Sequence, residues 1–456
     1  MLLFVRLKVD KKKMLPFGLL AFWYVSLFPG RIGYDYVKLA EMIRDGESTA
    51  WWGATYFWFY KLFTFNAQSI FLISLVGLLV LFHSLKYFIY SLPISDSKRN
   101  QNLIIMTATP LFGVFGVTVS HDIFQCAGVI LLVSVRLRIY LKVDSELLMR
   151  KIILLSGIYL TTTQIGLVIY GVFLLSFILR KKLWAIFFLF ITVLISAFAN
   201  FGIDSNGTAK EFLPGTLRNL ILIDLKCIVQ HADVQLSNDE WKVLEVYAPR
   251  EAWLTETTCS NPDVLAAPLK LSQVSIGSTP QLFRLFIKLA FSEPAIPLMS
   301  HIQRSRVALP PPFFQPPTNQ VDLDIDVPVG KGTNTALQSG PGILHISIDD
   351  SKYDKRPKLL KPLEAIALLP AFFFNQSSWL WSWGGFWLWP LLIFFIKGCR
   401  LNTRNLILIG LPILTLHTLL FLIGPSSLGR YVMASIYMGV IAAFIQISAY
   451  FSQAKL

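Results

Sequence analysis

Long, nearly uninterrupted apolar runs constrain this chain more than any other feature of its sequence. Examples are Ile70–Phe82, Ile165–Leu179 and Leu406–Ile423. These runs approach the roughly 20 residues that a helix needs to cross a bilayer. Charged residues make up only 15% of the chain, whereas soluble domains carry about 25%. The sequence therefore predicts an α-helical polytopic membrane protein.

Polar breaks and basic flanks divide these runs into about ten predicted spans. The division is weakest at Ile152–Leu179, which is long enough to form a single helix. The polar residues Thr161–Gln164 interrupt this run and favour two short passes that meet at the outer surface. A further short span, Asp122–Val135, depends on Arg136 and Arg138 reaching the membrane interface. The predicted spans are Met14–Pro29, Ile70–Leu92, Leu103–Val119, Asp122–Val135, Ile152–Thr161, Ile165–Leu179, Leu183–Phe201, Ser378–Ile396, Asn405–Ile423 and Tyr431–Phe451.

Basic residues cluster in every second connection between the predicted spans. The N-terminal stretch MLLFVRLKVDKKKM has a basic flank, and no A-x-A-like cleavage site follows it, which predicts a retained signal anchor. Ten passes then place both termini and the basic loops in the cytoplasm, as the positive-inside rule expects. We therefore expect a multi-pass protein of the cytoplasmic (plasma) membrane, and we attribute the net charge of +14 to these loops rather than to a nucleic-acid partner. The cytoplasmic basic residues are Lys11, Lys12, Lys13, Lys98, Arg99, Arg136, Arg138, Lys142, Arg150, Lys151, Arg180, Lys181, Lys182, Lys397, Arg400 and Arg404.

Two long outer segments divide the chain into three predicted parts. Residues 1–201 form an N-terminal transmembrane module of about seven spans, with a long outer loop at 31–68. Residues 202–362 have an ordinary soluble composition and predict an extracytoplasmic domain that is α/β or mainly α. Residues 363–456 predict a short interfacial helix at Leu363–Phe374, followed by about three spans.

Two local patterns describe the outer segments in more detail. In the loop, Val37–Arg44 predicts an amphipathic helix lying on the membrane. In the extracytoplasmic domain, LSNDEWKVLEVYA predicts a helix with Ser237 as its N-cap and Glu240 three residues later, the pattern of a capping box.

The four cysteines fall in different predicted compartments. Cys227 and Cys259 both lie in the extracytoplasmic domain, where oxidation favours a disulfide between them. Cys126 lies in a predicted span and Cys399 beside a cytoplasmic loop. The sequence contains no CxxC or HExxH spacing, so it predicts no metal ligands, and it contains no P-loop, GxGxxG or GxSxG motif.

Acidic residues just outside the spans are candidate functional groups, because charge at a membrane face is costly unless it is paired or used. Asp35 follows the first span in FPGRIGYDY, where Gly30 and Gly33 allow an irregular backbone that aims a carboxylate towards the membrane. An ordinary solvated loop acid is the alternative. His121 and Asp122 open the fourth span. They form either a helix cap with favourable dipole placement or a second acid and an imidazole on the same surface as Asp35.

One arginine lies on the side of the membrane where the positive-inside rule does not expect it. Arg430, in GPSSLGRYVM, is at the outer entrance of the last span, opposite to where the positive-inside rule places arginines. A guanidinium there can hold a phosphate with two parallel hydrogen bonds. The alternative is an interfacial anchor that pairs with a lipid headgroup.

These features together resemble the GT-C superfamily of polytopic membrane glycosyltransferases. The resemblance rests on the basic N-terminus, the long outer loop with its early Asp35, the second outer acid in Ser120-His121-Asp122, the large outer domain after the seventh span and the terminal Gly-Arg-Tyr at Arg430. The superfamily includes dolichyl-phosphate-mannose–protein mannosyltransferases and bacterial aminoarabinose transferases. The sequence differs from better-known members in lacking an acidic pair in the first outer loop.

The resemblance implies an inverting transfer of a sugar from a polyprenyl-phosphate donor to a glycan, lipid or protein acceptor at the outer face. Asp35 would be the general base that takes the proton of the acceptor hydroxyl. Arg430 would bind the leaving phosphate, which an arginine or a divalent cation can stabilise. His121 and Asp122 would shape or share the site.

Two other functions remain open at this point. A ligase or polymerase of surface polysaccharide would use a lipid-linked oligosaccharide as donor. A lipid or solute transporter would need ionisable residues near the bilayer midplane and two symmetric halves. The sequence shows no internal repeat, and its outer domain is large for a transporter.

Overall fold

The computed structural model describes residues 11–32, 34–46, 53–201, 212–231, 236–254, 279–305, 308–309, 358–376, 383–423 and 432–453. These residues are almost entirely helical. Five of their helices are long and apolar enough to cross a membrane, which agrees with the predicted class of helical membrane protein. The larger number of about ten spans stays a prediction. The five helices are Phe71–Ser91, His121–Leu141, Leu183–Phe201, Thr403–Leu422 and Met433–Tyr450.

In its described residues, the N-terminal module combines ten helices with two strands of two residues each. The helices are α1 (Lys11–Ser26), α2 (Tyr34–Arg44), α3 (Ala54–Phe63), α4 (Phe71–Ser91), α5 (Asp96–Ala108), α6 (Pro110–Val117), α7 (His121–Leu141), α8 (Glu146–Leu160), α9 (Gln164–Ile178) and α10 (Leu183–Phe201). The strands are β1 (Arg31–Ile32) and β2 (Thr118–Val119).

The rest of the described chain is helical as well. Its helices are α11 (Phe212–His231), α12 (Asn238–Glu245), α13 (Arg250–Leu254), α14 (Thr279–Ser292), α15 (Ala295–Ser305), α16 (Lys361–Gln376), α17 (Gly384–Ile393), α18 (Thr403–Ile423) and α19 (Met433–Gln453). A 3₁₀ turn at Lys358–Leu360 precedes α16, and a π-helical turn at Phe394–Gly398 extends α17.

Helix α7 lies at the centre of the bundle. Within its most apolar 18-residue window 83% of the residues are buried, against 11% for α10. It packs against α4, α8, α9, α18 and α19. Because apolar side chains of α10 are exposed on the protein surface, this helix is the one whose composition most requires a lipid environment. The central position of α7 means that several of its polar side chains, such as Asp122, Gln125 and Arg136, are buried among other helices.

The predicted third span, Leu103–Val119, is not one helix. The structure divides it into α5 and α6 at Thr109, whose side chain accepts a hydrogen bond from the backbone N–H of Phe112. Pro110 follows as the first residue of α6, a position where its missing N–H costs nothing. The span itself stays a prediction, and the break within it was not expected because hydropathy alone does not register this cap.

The predicted division of Ile152–Leu179 is confirmed. Helices α8 and α9 have 15 residues each and pack against one another. Thr163 caps α9, since its hydroxyl accepts from the N–H of Gly166. The polar break therefore forms a tight turn between two helices.

The described residues of the predicted extracytoplasmic domain form α11 to α15, which favours the mainly α alternative. The capping box is confirmed: Ser237 accepts from the Glu240 N–H, and the Glu240 carboxylate accepts from the Ser237 N–H. Three large aromatic side chains, Trp241, Tyr247 and Trp253, lie in the core of this unit with leucines from α11 and α14. The Trp253 indole N–H is satisfied by the backbone carbonyls of α12 and the turn that follows it.

Candidate active site

Two short strands bring together the segments that carry the predicted acids. Strand β1 pairs in parallel with β2, with Arg31 opposite Thr118 and Ile32 opposite Val119. Beyond β1 the chain enters α2, which contains Asp35 in its first turn. Beyond β2 it enters α7, which begins with His121 and Asp122. The start of the outer loop and the N-terminus of α7 are therefore neighbours.

Two glycines allow this close approach. Gly30 precedes β1 with φ of +125°, and a Cβ there would lie 1.9 Å from the Ser74 hydroxyl oxygen of α4. Gly53 precedes α3 with φ of +93°, and a Cβ there would lie 2.4 Å from the carbonyl oxygen of Thr162. Both positive φ values favour glycine. A side chain at either position would push the outer loop away from the bundle.

Helix α2 packs against protein rather than against the membrane. The predicted helix at Val37–Arg44 is confirmed, but Tyr36, Leu39, Ala40 and Ile43 of its apolar face are buried in a cluster with aromatic residues of α3 and apolar residues of α4 and α7. The amphipathic pattern arises here because the opposite face of the helix remains polar.

A hydrogen-bonded cluster joins α2 to the N-terminus of α7. The Tyr36 hydroxyl lies 2.6 Å from His121 Nδ1 and 3.0 Å from Ser120 Oγ. Ser120 donates to Asp122 Oδ2 over 2.8 Å. His121 Nε2 lies 3.4 Å from Asp122 Oδ1. We refer to Tyr36, Ser120, His121 and Asp122 as the hydroxyl–imidazole cluster.

The backbone fixes part of the hydrogen-bond direction in this cluster. The Asp122 N–H donates to Ser120 Oγ, so Ser120 is the N-cap of α7. The ionised Asp122 carboxylate can only accept, and its position in the first turn is favoured by the helix dipole. If His121 Nε2–H faces that carboxylate, then Nδ1 is left to accept from the Tyr36 hydroxyl. The cap and the acid–imidazole pair are therefore parts of one arrangement.

The exposure of its members shows which of them a substrate can reach. The Asp122 side chain is 2% exposed and the His121 side chain is 18% exposed. Tyr36 is 1% exposed. An imidazole held between a buried carboxylate and a phenol can accept or donate a proton without changing its position. His121 is thus the accessible acid–base group among the residues of this cluster.

The aromatic ring of Tyr56 packs beside the hydroxyl–imidazole cluster. The Tyr56 ring centroid lies 5.6 Å from that of His121 and 5.8 Å from that of Tyr36. Tyr56 is fully buried, and its hydroxyl is a buried polar group without a hydrogen-bond partner among the described residues. Burial, with smaller contributions from Tyr36, Tyr60 and Asp122, raises the pKa of Tyr56 well above its usual value. Tyr56 is therefore a neutral hydrogen-bond donor beside the imidazole.

Sequence reasoning did not identify Tyr36 or Tyr56. Tyr36 directly follows Asp35, and Tyr56 is one of many aromatic residues in the stretch WWGATYFWFYKLF. The hydrogen bond from Tyr36 joins residues 85 positions apart, and no local pattern indicates such a contact. Gln125, one turn into α7, was also missed; its side-chain oxygen accepts from Thr163 over 2.7 Å and ties the cluster end of α7 to the α8–α9 turn.

Other predicted site residues are described only in part. Arg430 and Cys259 lie outside the described residues. Cys227 lies in α11, is buried and is disulfide-bonded. The predicted pairing of Cys227 with Cys259 stays a prediction. Within the described ranges, no group of three or more His, Cys, Asp or Glu residues comes together to hold a metal ion.

A cavity of about 490 Å³ lies near the C-terminal end of α3. Trp58 forms part of its wall and donates from its indole nitrogen to the Ala199 carbonyl oxygen, at the end of α10. The Lys61 amino group lies over the Trp58 ring at 5.2 Å from its centroid. The cavity combines a cation with aromatic surface at the end of the most exposed apolar helix. Its lining residues are Trp58, Lys61, Leu62, Phe65, Asn66 and Gln68.

Comparison with known proteins finds no matching family model, no similar curated protein and no similar solved structure.

Proposed function

We propose that this chain is a membrane glycosyltransferase that moves a sugar from a polyprenyl-phosphate donor to an acceptor at the outer face of the cytoplasmic membrane. The observation that carries the proposal is the pairing of β1 with β2, which joins the Asp35 segment to His121 and Asp122. Two acids and an imidazole on neighbouring segments match the needs of a transfer that removes a proton from an acceptor hydroxyl.

The proposed orientation follows from the distribution of charge along the bundle. Helices α4 and α7 run parallel. Near their N-terminal ends, Gly77 of α4 lies close to Ile123 of α7. Near their C-terminal ends, Arg138 of α7 donates to the carbonyl oxygen of Tyr90 in α4. The hydroxyl–imidazole cluster lies at their starts, and the basic loops lie at their ends. The positive-inside rule then supports an outer position for the cluster and, together with the predicted ten spans, a cytoplasmic position for both chain termini.

The proposed chemistry is an inverting displacement. The acceptor hydroxyl attacks the anomeric carbon while Asp35 takes its proton. The bond from the anomeric carbon to the lipid phosphate breaks, and the electron pair leaves with the phosphate. Arg430 stabilises the charge that develops there. His121, oriented by Asp122 and Tyr36, shapes the site and shares the proton.

The first prediction tests the proposed base. Asp35→Asn keeps the shape of the side chain but loses its basicity, so we expect sugar transfer to fall by about 10²–10⁴-fold while donor binding is retained. The measurement is transfer of a labelled sugar from a synthetic polyprenyl-phosphate donor by the purified full-length protein. Asp45→Asn is the matched control, because Asp45 is an exposed carboxylate just after the same helix. Its transfer rate should remain close to that of the wild type.

Further arms of this experiment separate the alternatives. Arg430→Ala should weaken both donor binding and rate, because a phosphate contact acts in the ground state and in the transition state. Near-normal transfer by Asp35→Asn would remove the proposed base. A wild type that uses only a lipid-linked oligosaccharide would be a ligase or polymerase. A wild type that transfers no sugar from either donor would support transport.

A further inference from the structure

Two arginines near the C-terminal end of α7 have very different surroundings. Arg138 binds both carboxylate oxygens of Asp144, and Tyr87 donates to the same carboxylate. Arg136, two residues earlier, is 4% exposed and pairs with no carboxylate in the described part of the chain. Its Nη2 donates to the Ser176 hydroxyl. A buried cation without a counter-charge is unfavourable unless an anion is supplied from elsewhere.

Aromatic rings hold Arg136 in a continuous row with a second arginine. The Arg136 guanidinium lies 3.7 Å from the ring centroid of Phe177. The Phe177 ring lies 5.0 Å from Trp184, and the guanidinium of Arg150 lies 5.6 Å from the Trp184 ring. We call Arg136, Phe177, Trp184 and Arg150 the arginine–aromatic row. Cation–π contacts partly compensate the buried charge of Arg136 but do not satisfy its N–H groups.

Three donors of this row have no acceptor among the described residues. They are the Nε atoms of Arg136 and Arg150 and the indole Nε1 of Trp184. All three groups can only donate hydrogen bonds. Buried donors normally have partners, and each exception calls for an explanation. A ligand rich in acceptor oxygens and negatively charged would satisfy both the donors and the charge.

Further positive charge lies beside the row. Arg180 lies at an exposed position in the turn after α9, and its backbone N–H donates to the carbonyl oxygen of Phe177 over 2.9 Å. Lys182 is also exposed, and its backbone N–H donates to the same carbonyl oxygen over 3.1 Å. The row therefore faces a local excess of positive charge.

Exposed leucines surround this basic surface. Leu179 is 76% exposed, Leu183 is 75% exposed and Leu147 is 64% exposed. A soluble anion has no use for such apolar surface, whereas the acyl chains of a lipid would cover it. Basic pockets between membrane helices on the cytoplasmic side are suited to anionic lipid headgroups.

We propose that the arginine–aromatic row and Arg180 bind the phosphate of an anionic phospholipid, with its acyl chains against Leu179 and Leu183. The proposal is independent of the glycosyltransferase proposal, because the row lies at the opposite end of α7 from the hydroxyl–imidazole cluster. The bound lipid acts as the missing counter-ion of Arg136.

The test uses full-length protein in nanodiscs made of phosphatidylcholine, with or without phosphatidylglycerol. We expect phosphatidylglycerol to raise the thermal unfolding midpoint of the wild type and to be retained over phosphatidylcholine in native mass spectrometry. Arg136→Gln and Arg180→Gln should each weaken this retention by about tenfold, the value of one charge-assisted hydrogen bond to phosphate. Arg180 is exposed, so its variant remains informative if Arg136→Gln does not fold. Lys397→Gln, which removes an exposed charge from the π-helical turn after α17, should leave retention unchanged.

Three outcomes would overturn the proposal. The first is equal stability and equal retention with the two lipids. The second is an effect of Lys397→Gln as large as that of Arg180→Gln, which would indicate general charge attraction rather than a site. The third is full stabilisation by free glycerol phosphate in phosphatidylcholine nanodiscs, which would indicate a soluble anion.

Discussion

At its N-terminal end α7 buries a carboxylate, and near its C-terminal end it buries a guanidinium. Asp122 receives a hydrogen bond from Ser120 and lies beside His121, which Tyr36 also bonds. Arg136 is held mainly by aromatic rings and keeps a donor without an acceptor among the described residues. At the N-terminal end, protein side chains supply the hydrogen-bond partners of the buried carboxylate and the imidazole, so the end can position a reacting group before any ligand arrives. The second end is complete only when an anion is added.

The largest expected loss of stability comes from removing the carboxylate that pairs with Arg138, which leaves Arg138 without a counter-charge, as Arg136 is among the described residues. Asp144→Ala removes the carboxylate that Arg138 binds with two nitrogens. We expect a loss of about 3–5 kcal/mol in the free energy of unfolding, because a largely buried cation is left unpaired. The measurement is denaturant unfolding in phosphatidylcholine nanodiscs. Glu146→Ala breaks the exposed pair with Arg150 and should cost much less, because water screens this pair. Equal losses in the two variants would contradict the distinction between the pairs.

The Arg138–Asp144 pair also predicts the direction in which the stability of the protein changes with pH. The hydrogen bond from Arg138, together with that from Tyr87, holds the pKa of Asp144 below its usual value. The carboxylate therefore stabilises the folded state fully above the unfolded pKa of about 3.9, and this contribution is lost as the pH falls through the lower folded value. Asp144→Ala should remove that part of the acid sensitivity.

A smaller loss of stability is expected from a substitution at the N-terminal end of α7. Tyr36→Phe removes the hydroxyl that bonds His121 Nδ1 and accepts from the His121 backbone N–H, so we expect a loss of about 1–3 kcal/mol in the free energy of unfolding and weaker orientation of the imidazole. Tyr56→Phe is the matched control, since the Tyr56 hydroxyl is buried without a partner among the described residues. Its removal should be neutral or slightly stabilising. The measurement is denaturant unfolding of both variants. If Tyr56→Phe loses as much unfolding free energy as Tyr36→Phe, the loss reflects packing rather than hydrogen bonding.

The smallest effect on stability is expected from the ion pair between Glu240 of α12 and Lys288 of α14. Lys288, with some help from the Ser237 backbone, lowers the pKa of Glu240 to about 2. Its stabilisation should be present above the unfolded value of about 4.3 and disappear as the pH falls towards 2. Because Lys288 is 67% exposed, Glu240→Gln should cost less than about 1 kcal/mol at pH 7. A larger loss, measured by unfolding at pH 7, would mean that the capping box rather than the ion pair dominates.

The sequence was informative where the responsible residues are close together along the chain. The turn at Thr161–Gln164 and the capping box at Ser237 are local patterns, and both are present in the structure. The break at Thr109 was missed, although Thr-Pro is also a local signal, because the surrounding apolar run hid it. The contact between Tyr36 and His121 joins residues that are 85 positions apart. Its existence depends on the packing of α2, which the alternation of apolar and polar residues does not determine.

The pairing of β1 with β2 has a consequence for biosynthesis. Arg31 leaves the ribosome well before its partner Thr118, which at about 5–20 residues per second means a delay of roughly 4–17 s. During that interval α2 to α6 are made, and the segment with Asp35 has no strand to pair with. The proposed site therefore forms only after the helices between the two strands have been made, so a nascent chain that stalls before residue 118 leaves the segment with Asp35 without its partner strand.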